Sequence, residues 1–197
     1  MRRVTRAVRP ACAVVVAGAL LAGCGLLGGT KSGRGPQGMD MQGAAERADE
    51  MFYATIGKIK PEIEWTHRAT TTGSCDVTRY WAVMTVVSEQ RRGNFLGVVE
   101  RFWKASGYRI DTVNPSKEMP AIYARSSDGF GIRVKFGYKG QAFIQVTSPC
   151  VDKSEVAPPA KAANGRSYGI EDEIPPPDVR SDFWSAESPV ASPGPSS

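Results

Sequence analysis

VTRYWAVMTVVS, residues 77–88, decides the fold. Valine, threonine, tyrosine and tryptophan crowd this run, and those side chains suit a pleated strand. Its apolar residues fall on both parities: Trp81, Val83 and Val87 alternate with Tyr80, Met84 and Val86. A strand apolar on both sides is covered on both sides, so it belongs inside a sheet rather than at its edge. The run therefore predicts one central strand over 77–88, with Cys75 just before it.

Helical spacing lies on either side of that strand. Met41, Ala44, Ala45, Ala48, Met51, Phe52, Thr55, Ile56 and Ile59 recur on one face of a helix expected over 40–59. Glu46, Arg47, Asp49 and Glu50 take the other face, Asp40 suits the N-cap, and Pro61 stops the pattern. Residues 62–70, EIEWTHRAT, alternate Ile63, Trp65 and His67 with polar neighbours, which reads as a strand with one apolar side. Phe95, Val98, Val99 and Phe102 mark a second helix over 91–106, closed by Gly107. Four short strands follow, at 108–113, 122–125, 130–136 and 141–147. Turn residues separate the last three, at 126–129 and 137–140.

The chain begins with a different chemistry. Arg2, Arg3, Arg6 and Arg9 precede an apolar run from Ala11 to Ala22, as in a secretory signal. The run is shorter than the roughly 20 apolar residues a helix needs to cross a bilayer. It ends in Leu21, Ala22, Gly23 and Cys24. These four residues resemble, position by position, the lipobox of bacterial lipoproteins. The Ala-, Gly-, Arg- and Pro-rich composition is similar to that of actinobacterial members. The resemblance implies that 1–23 is a signal peptide and that the Cys24 thiol carries a diacylglyceryl group. Two acyl chains anchor stably where one does not. It also implies a protein held on the extracytoplasmic face of the cell membrane. Residues 24–38 carry many glycines and no periodicity, so they read as a tether reaching about 20 Å on average.

Export places Cys75 and Cys150 in an oxidising compartment and makes them a disulfide. A structural zinc site wants four Cys or His ligands, and His67 is the sole histidine. Closing a loop of about 75 residues stabilises by roughly 4–5 kcal/mol in the chain-entropy description. The pairing also tests the topology. If 77–88 runs up, a helical crossover makes 108–113 run up too. Three hairpins then leave 141–147 running down, and antiparallel pairing beside 77–88 brings Cys150 to Cys75. The expected fold is α+β: a mainly antiparallel sheet of about six strands, with both helices on one face. The expected strand order is 108–113, 122–125, 130–136, 141–147, 77–88, 62–70.

The net charge of +5 argues less for a nucleic-acid partner than it first suggests, because four of the 25 basic residues lie in the signal. Residues 39–150, the expected domain, hold 15 basic and 12 acidic groups. Residues 151–197 hold 4 basic and 8 acidic groups, with 8 of the 14 prolines. That composition predicts a disordered acidic tail. Tyr168, Phe183 and Trp184 stand out in it as residues for docking on the domain or on a partner.

Catalytic motifs do not emerge. His67 stands alone on the apolar side of a strand, and neither a Gly-x-Ser-x-Gly elbow nor a Ser-x-x-Lys nucleophile appears. The sequence thus predicts a non-enzymatic binding or accessory domain that uses no cofactor or metal. Membrane lipid and an envelope protein or polymer are its expected partners. Arg133 and Lys135 point away from the Phe130/Ile132/Val134/Phe136 side, and with Tyr138 they form the candidate binding surface. Gln141, Gln145 and Phe143 are expected nearby. The alternatives are a small-ligand carrier, with a pocket lined by Trp65, Trp81, Phe95 and Trp103, and, ranked below it, a cell-wall enzyme using His67.

Overall fold

The computed structural model describes residues 36–168 and 173–188. The expected signal peptide, Cys24 and all but the end of the expected tether lie outside them. Element order is α1 (Met41–Ile56), β1 (Trp65–His67), β2 (Thr71–Thr72), β3 (Val77–Val83), α2 (Glu89–Ala105), β4 (Arg109–Asn114), β5 (Ala121–Arg125), β6 (Gly131–Phe136) and β7 (Ala142–Thr147). The sheet has seven strands in the order β1-β3-β7-β6-β5-β4, with the two-residue β2 also on β3. Every pairing is antiparallel. This is the expected α+β architecture and the expected strand order, with the short β2 added.

Local chemistry sets the helix ends. The Asp40 side chain accepts the Gly43 amide hydrogen at 2.8 Å, satisfying one of the open donors of α1. The helix stops at Ile56, short of the expected 59, yet Ile59 stays fully buried in the turn that follows. Gly107, at φ +77°, turns the chain out of α2 in a conformation that only glycine adopts freely.

Both helices pack on the same face of the sheet. Register aligns Trp81 with Ile144, Ile144 with Val134, and Val134 with Ile122 across β3, β7, β6 and β5. Phe52 of α1 stacks on Trp81 with ring centroids 4.1 Å apart. Phe95 of α2 meets Phe136 edge-on at 5.6 Å. Trp103 of α2 donates its indole N–H to Thr55 Oγ1 of α1 at 3.0 Å, so the buried donor has a partner. The Cys75–Cys150 disulfide joins the start of β3 to the end of β7, with Cα atoms 4.8 Å apart. That is the place the strand-direction argument gave it.

Two expectations need correction. The strand over 77–88 ends at Val83. Met84 and Val87 remain buried, and beyond Val83 the backbone pairs with the C-terminal segment, Asp178 and Val179 donating to Met84 O at 3.1 and 3.0 Å. The tail is correspondingly not a free disordered chain where it is described. Asp152 exchanges backbone hydrogen bonds with Met39 and Met41, at 3.0 and 2.9 Å. Asn164 then caps the outer edge of the sheet: its Oδ1 accepts the Trp65 amide hydrogen at 2.9 Å and its Nδ2 donates to the Ile63 carbonyl at 3.0 Å. One side-chain amide thus imitates a neighbouring strand and blunts an edge. Further on, the Val86 amide donates to Val179 O at 2.8 Å and the Ser88 amide to Trp184 O at 2.9 Å. Trp184 is 1% exposed, edge-on to Phe95 at 5.4 Å, and donates its indole N–H to Pro61 O at 2.7 Å. Composition pointed to disorder because prolines and acids dominate; a few well-spaced anchors offset that composition.

Candidate binding face

Alternation along β6 and β7 splits the sheet into two unlike faces. Ile132, Val134 and Phe136 of β6, and Ala142, Ile144 and Val146 of β7, point to the helices and are buried. Gly131, Arg133, Lys135, Phe143, Gln145 and Thr147 point the other way, where no helix among the described residues covers them. One register line on this bare face runs Tyr80, Gln145, Arg133, Tyr123. The next runs Thr78, Thr147, Gly131, Arg125, Arg109.

Arg133 and Lys135 therefore lie where the sequence placed them, and neither is paired with an acid among the described residues. Gln145 and Phe143 share the face, and Arg68 lies over the Phe143 ring at 5.2 Å. Gln141 does not: it is buried, donating to Pro175 O at 3.1 Å. Of Tyr138 only the backbone is described, in a turn between β6 and β7.

Other residues at this face were not singled out from the sequence. Asp111 pairs with Arg109 at 3.0 Å and with Arg125 at 3.5 Å. With Tyr123, Arg125, Gly131, Arg133, Gln145 and Thr147 it lines a shallow hollow of about 140 Å³. The hollow owes its floor to a missing side chain, since a Cβ on Gly131 would meet nothing within 4 Å. Gln145 Nε2 donates to Thr147 Oγ1 at 3.0 Å, while its buried Oε1 has no partner. Period-2 alternation was the available signal for Tyr123 and Arg125; register across strands supplies the rest.

The remaining candidates lie in the C-terminal segment. Tyr168 is half-buried in the tail, and Phe183 packs beneath Arg91 at 4.6 Å. Trp184 beside Phe183 is 1% exposed and belongs to the core of the domain. Of the residues expected to line a carrier pocket, Trp81, Phe95 and Trp103 are fully buried and Trp65 nearly so, all within the hydrophobic core.

His67 hydrogen-bonds through Nε2 to the Lys161 carbonyl at 2.8 Å, and burial holds its pKa below the ordinary value. Glu62 is bound to Lys60 at 2.8 Å. Among the described residues no three His, Cys, Asp or Glu side chains gather as metal ligands, and no helix is long and apolar enough to cross a membrane.

A polar pair lies under the helices. Asp49 of α1 forms an ion pair with Arg79 of β3 at 3.4 Å, without the geometry of a hydrogen bond. Arg79 also donates to Thr70 Oγ1 at 2.6 Å and to Ala157 O of the tail at 2.9 Å. Burial pushes the Asp49 carboxyl up to about 6 despite the arginine. Burial likewise pushes the Tyr53 hydroxyl up to about 12.

No protein-family profile matches the sequence, and no curated protein is similar to it. Among solved structures, a DUF4853 family protein from Actinomyces odontolyticus is similar over 65% of this chain and 70% of that one, at 12% identity and a TM-score of 0.28. A likeness so slight transfers neither fold detail nor function.

Proposed function

We propose that this protein is a lipid-anchored, extracytoplasmic, non-enzymatic binding module, and that the bare face of its sheet engages an anionic partner at the cell envelope. One observation carries the reading. The helix-facing side chains of β5, β6 and β7 are buried, yet the opposite face holds Arg133 and Lys135 with no acid paired to them among the described residues. Cations held on adjacent rows of a rigid sheet attract an anionic surface and fix its register. The lipobox at Leu21–Cys24 supports the location, and the disulfide suits an oxidising compartment. The tail supports the assignment to this face because Trp184, its largest aromatic anchor, is buried in the domain core.

The reading is tested with the full chain in two steps. Cys24→Ala moves the protein out of the membrane fraction if the anchor is real; unchanged membrane association sinks the location. Arg133→Glu with Lys135→Glu weakens binding to dextran sulfate at least about tenfold at low salt. Equal binding by the double variant sinks the choice of face.

A further inference from the structure

The side-chain amide that caps the edge of the sheet at β1 belongs to a reactive pair, because Asn164 is followed by Gly165. An asparagine side chain is open to attack by the backbone nitrogen of the next residue. Glycine hinders that attack least, since it has no Cβ and its backbone bends most freely. The other two asparagines lack such a neighbour. Asn114 precedes Pro115, whose nitrogen carries no hydrogen. Asn94 precedes Phe95 inside α2, where the helix ties up the amide.

The fold presents this pair for reaction. Asn164 is exposed, so water and base reach it. Its Oδ1 accepts the Trp65 amide hydrogen at 2.9 Å, and a donor placed there stabilises the negative charge that gathers on the oxygen when Cγ turns tetrahedral. The Gly165 amide donates to no partner among the described residues, so no hydrogen bond holds its proton. The fold also needs glycine at this position: a Cβ on Gly165 would come within 2.8 Å of Glu64 Oε2 and 3.2 Å of Glu64 Cβ.

We infer that Asn164 and Gly165 form a site of spontaneous deamidation, and that conversion of Asn164 to an acid releases residues 162–166 from β1. The Gly165 nitrogen gives its proton to base and bonds to Asn164 Cγ. The Cγ–Nδ2 bond breaks, and that nitrogen takes a proton from solvent and leaves as ammonia. Water then opens the cyclic imide at either carbonyl, leaving aspartate or isoaspartate in place of Asn164.

Either product breaks the latch. Nδ2 now donates to the Ile63 carbonyl at 3.0 Å, and a carboxylate there sets two acceptors against each other. Glu64, packed against Gly165, adds a second negative charge. Lys60 lines the same hollow as Asn164 but is bound to Glu62 at 2.8 Å. Isoaspartate also adds a carbon to the main chain. Further back, His67 holds Lys161 O and Arg79 holds Ala157 O, so release starts at Asn164. It bares an edge strand that the native amide keeps blunt.

The full chain is incubated in mildly alkaline buffer, folded and, separately, in urea, and then digested with trypsin. Cleavage after Lys161 and Arg166 isolates residues 162–166, where mass spectrometry reads the change from amide to acid and chromatography separates the isoaspartate form. In the folded chain Asn164 is expected to convert at least about tenfold faster than Asn94 or Asn114. Asn164→Asp installs one product directly. It is expected to exchange the Trp65 amide hydrogen at least about tenfold faster than the unaltered chain, with thermal melting confirming that the variant is folded. Conversion of Asn164 in urea but not in the folded chain overturns the site, because the fold then shields it. Conversion no faster than at the other asparagines overturns it as well. Unchanged Trp65 exchange in Asn164→Asp overturns the latch.

Discussion

The two faces of the sheet are made by the same strands and differ residue by residue. Ile132, Val134 and Phe136 are locked under the helices, while Gly131, Arg133 and Lys135, their immediate neighbours, meet solvent. Burial on one side supplies the hydrophobic driving force, at roughly 25 cal/mol per Å² of apolar surface. The other side contributes little to stability and is free to carry recognition. The contrast makes a demand on mutations: the covered face should fail by unfolding, and the bare face by losing a partner.

The largest expected effect is on the covered face. Trp81→Ala removes the ring stacked on Phe52 and should cost about 4 kcal/mol, a large share of a typical domain's stability. Trp184→Ala sharpens the comparison, since this residue lies in the tail yet closes the same core. It should cost about 3 kcal/mol in urea unfolding and should expose the Val86 and Ser88 amides to hydrogen exchange. A cost below about 0.5 kcal/mol, the size of an ordinary surface change, would mean that the tail lies on the fold without holding it.

That tail marks where sequence reading stops. Helices and strands were legible because their signal is short-range: alternation in 130–136 and helical spacing in 41–59 repeat within a few residues. Asn164 and Trp184 have no such period. Each acts on residues about a hundred positions away, Trp65 for one and Pro61 for the other, and only the folded geometry joins them. The end of β3 shows the same limit. Met84 and Val87 read as buried apolar positions and are buried, but nothing short-range showed that the strand ends at Val83 and that the tail pairs with the backbone beyond it. The candidate face divides likewise. Arg133 and Lys135 follow from alternation, whereas the hollow follows from a glycine in register with Thr147 and Arg125.

The Asp49–Arg79 pair breaks the simple contrast, because it places charge on the covered side. Burial raises the Asp49 carboxyl from its ordinary value of 3.8 to about 6. A carboxyl with a raised folded-state pKa takes up a proton on folding, so its stabilising contribution is complete below about pH 4 and is lost as pH rises through about 6. That shift corresponds to about 3 kcal/mol. Asp128 works in the opposite direction: burial pushes its carboxyl up, but hydrogen bonds from Ser126 and Arg47 prevail and hold it below the ordinary value. The two effects separate in a difference experiment. Asp49→Asn should remove the part of the pH dependence between 4 and 6 that favours acid, read as the wild-type minus variant difference in urea midpoints. An unchanged difference across that range would mean that solvent reaches the pair and screens it.

The smallest expected effect on stability belongs to the bare face. Arg133 and Lys135 form no ion pair among the described residues, so reversing them to glutamate breaks no native contact of that kind. Each change should leave urea stability within about 0.5 kcal/mol, the range of ordinary surface substitutions. The local charge argument allows a direction as well. Arg125 and Arg109 already hold Asp111 on this face, and a glutamate at 133 adds a second acid near cations that outnumber it. Arg133→Glu should therefore be neutral or slightly stabilising while weakening anionic ligands. Loss of more than about 1 kcal/mol would show that Arg133 supports the sheet itself. The two faces would then share the work of folding, and a binding defect at this position would no longer identify a binding surface.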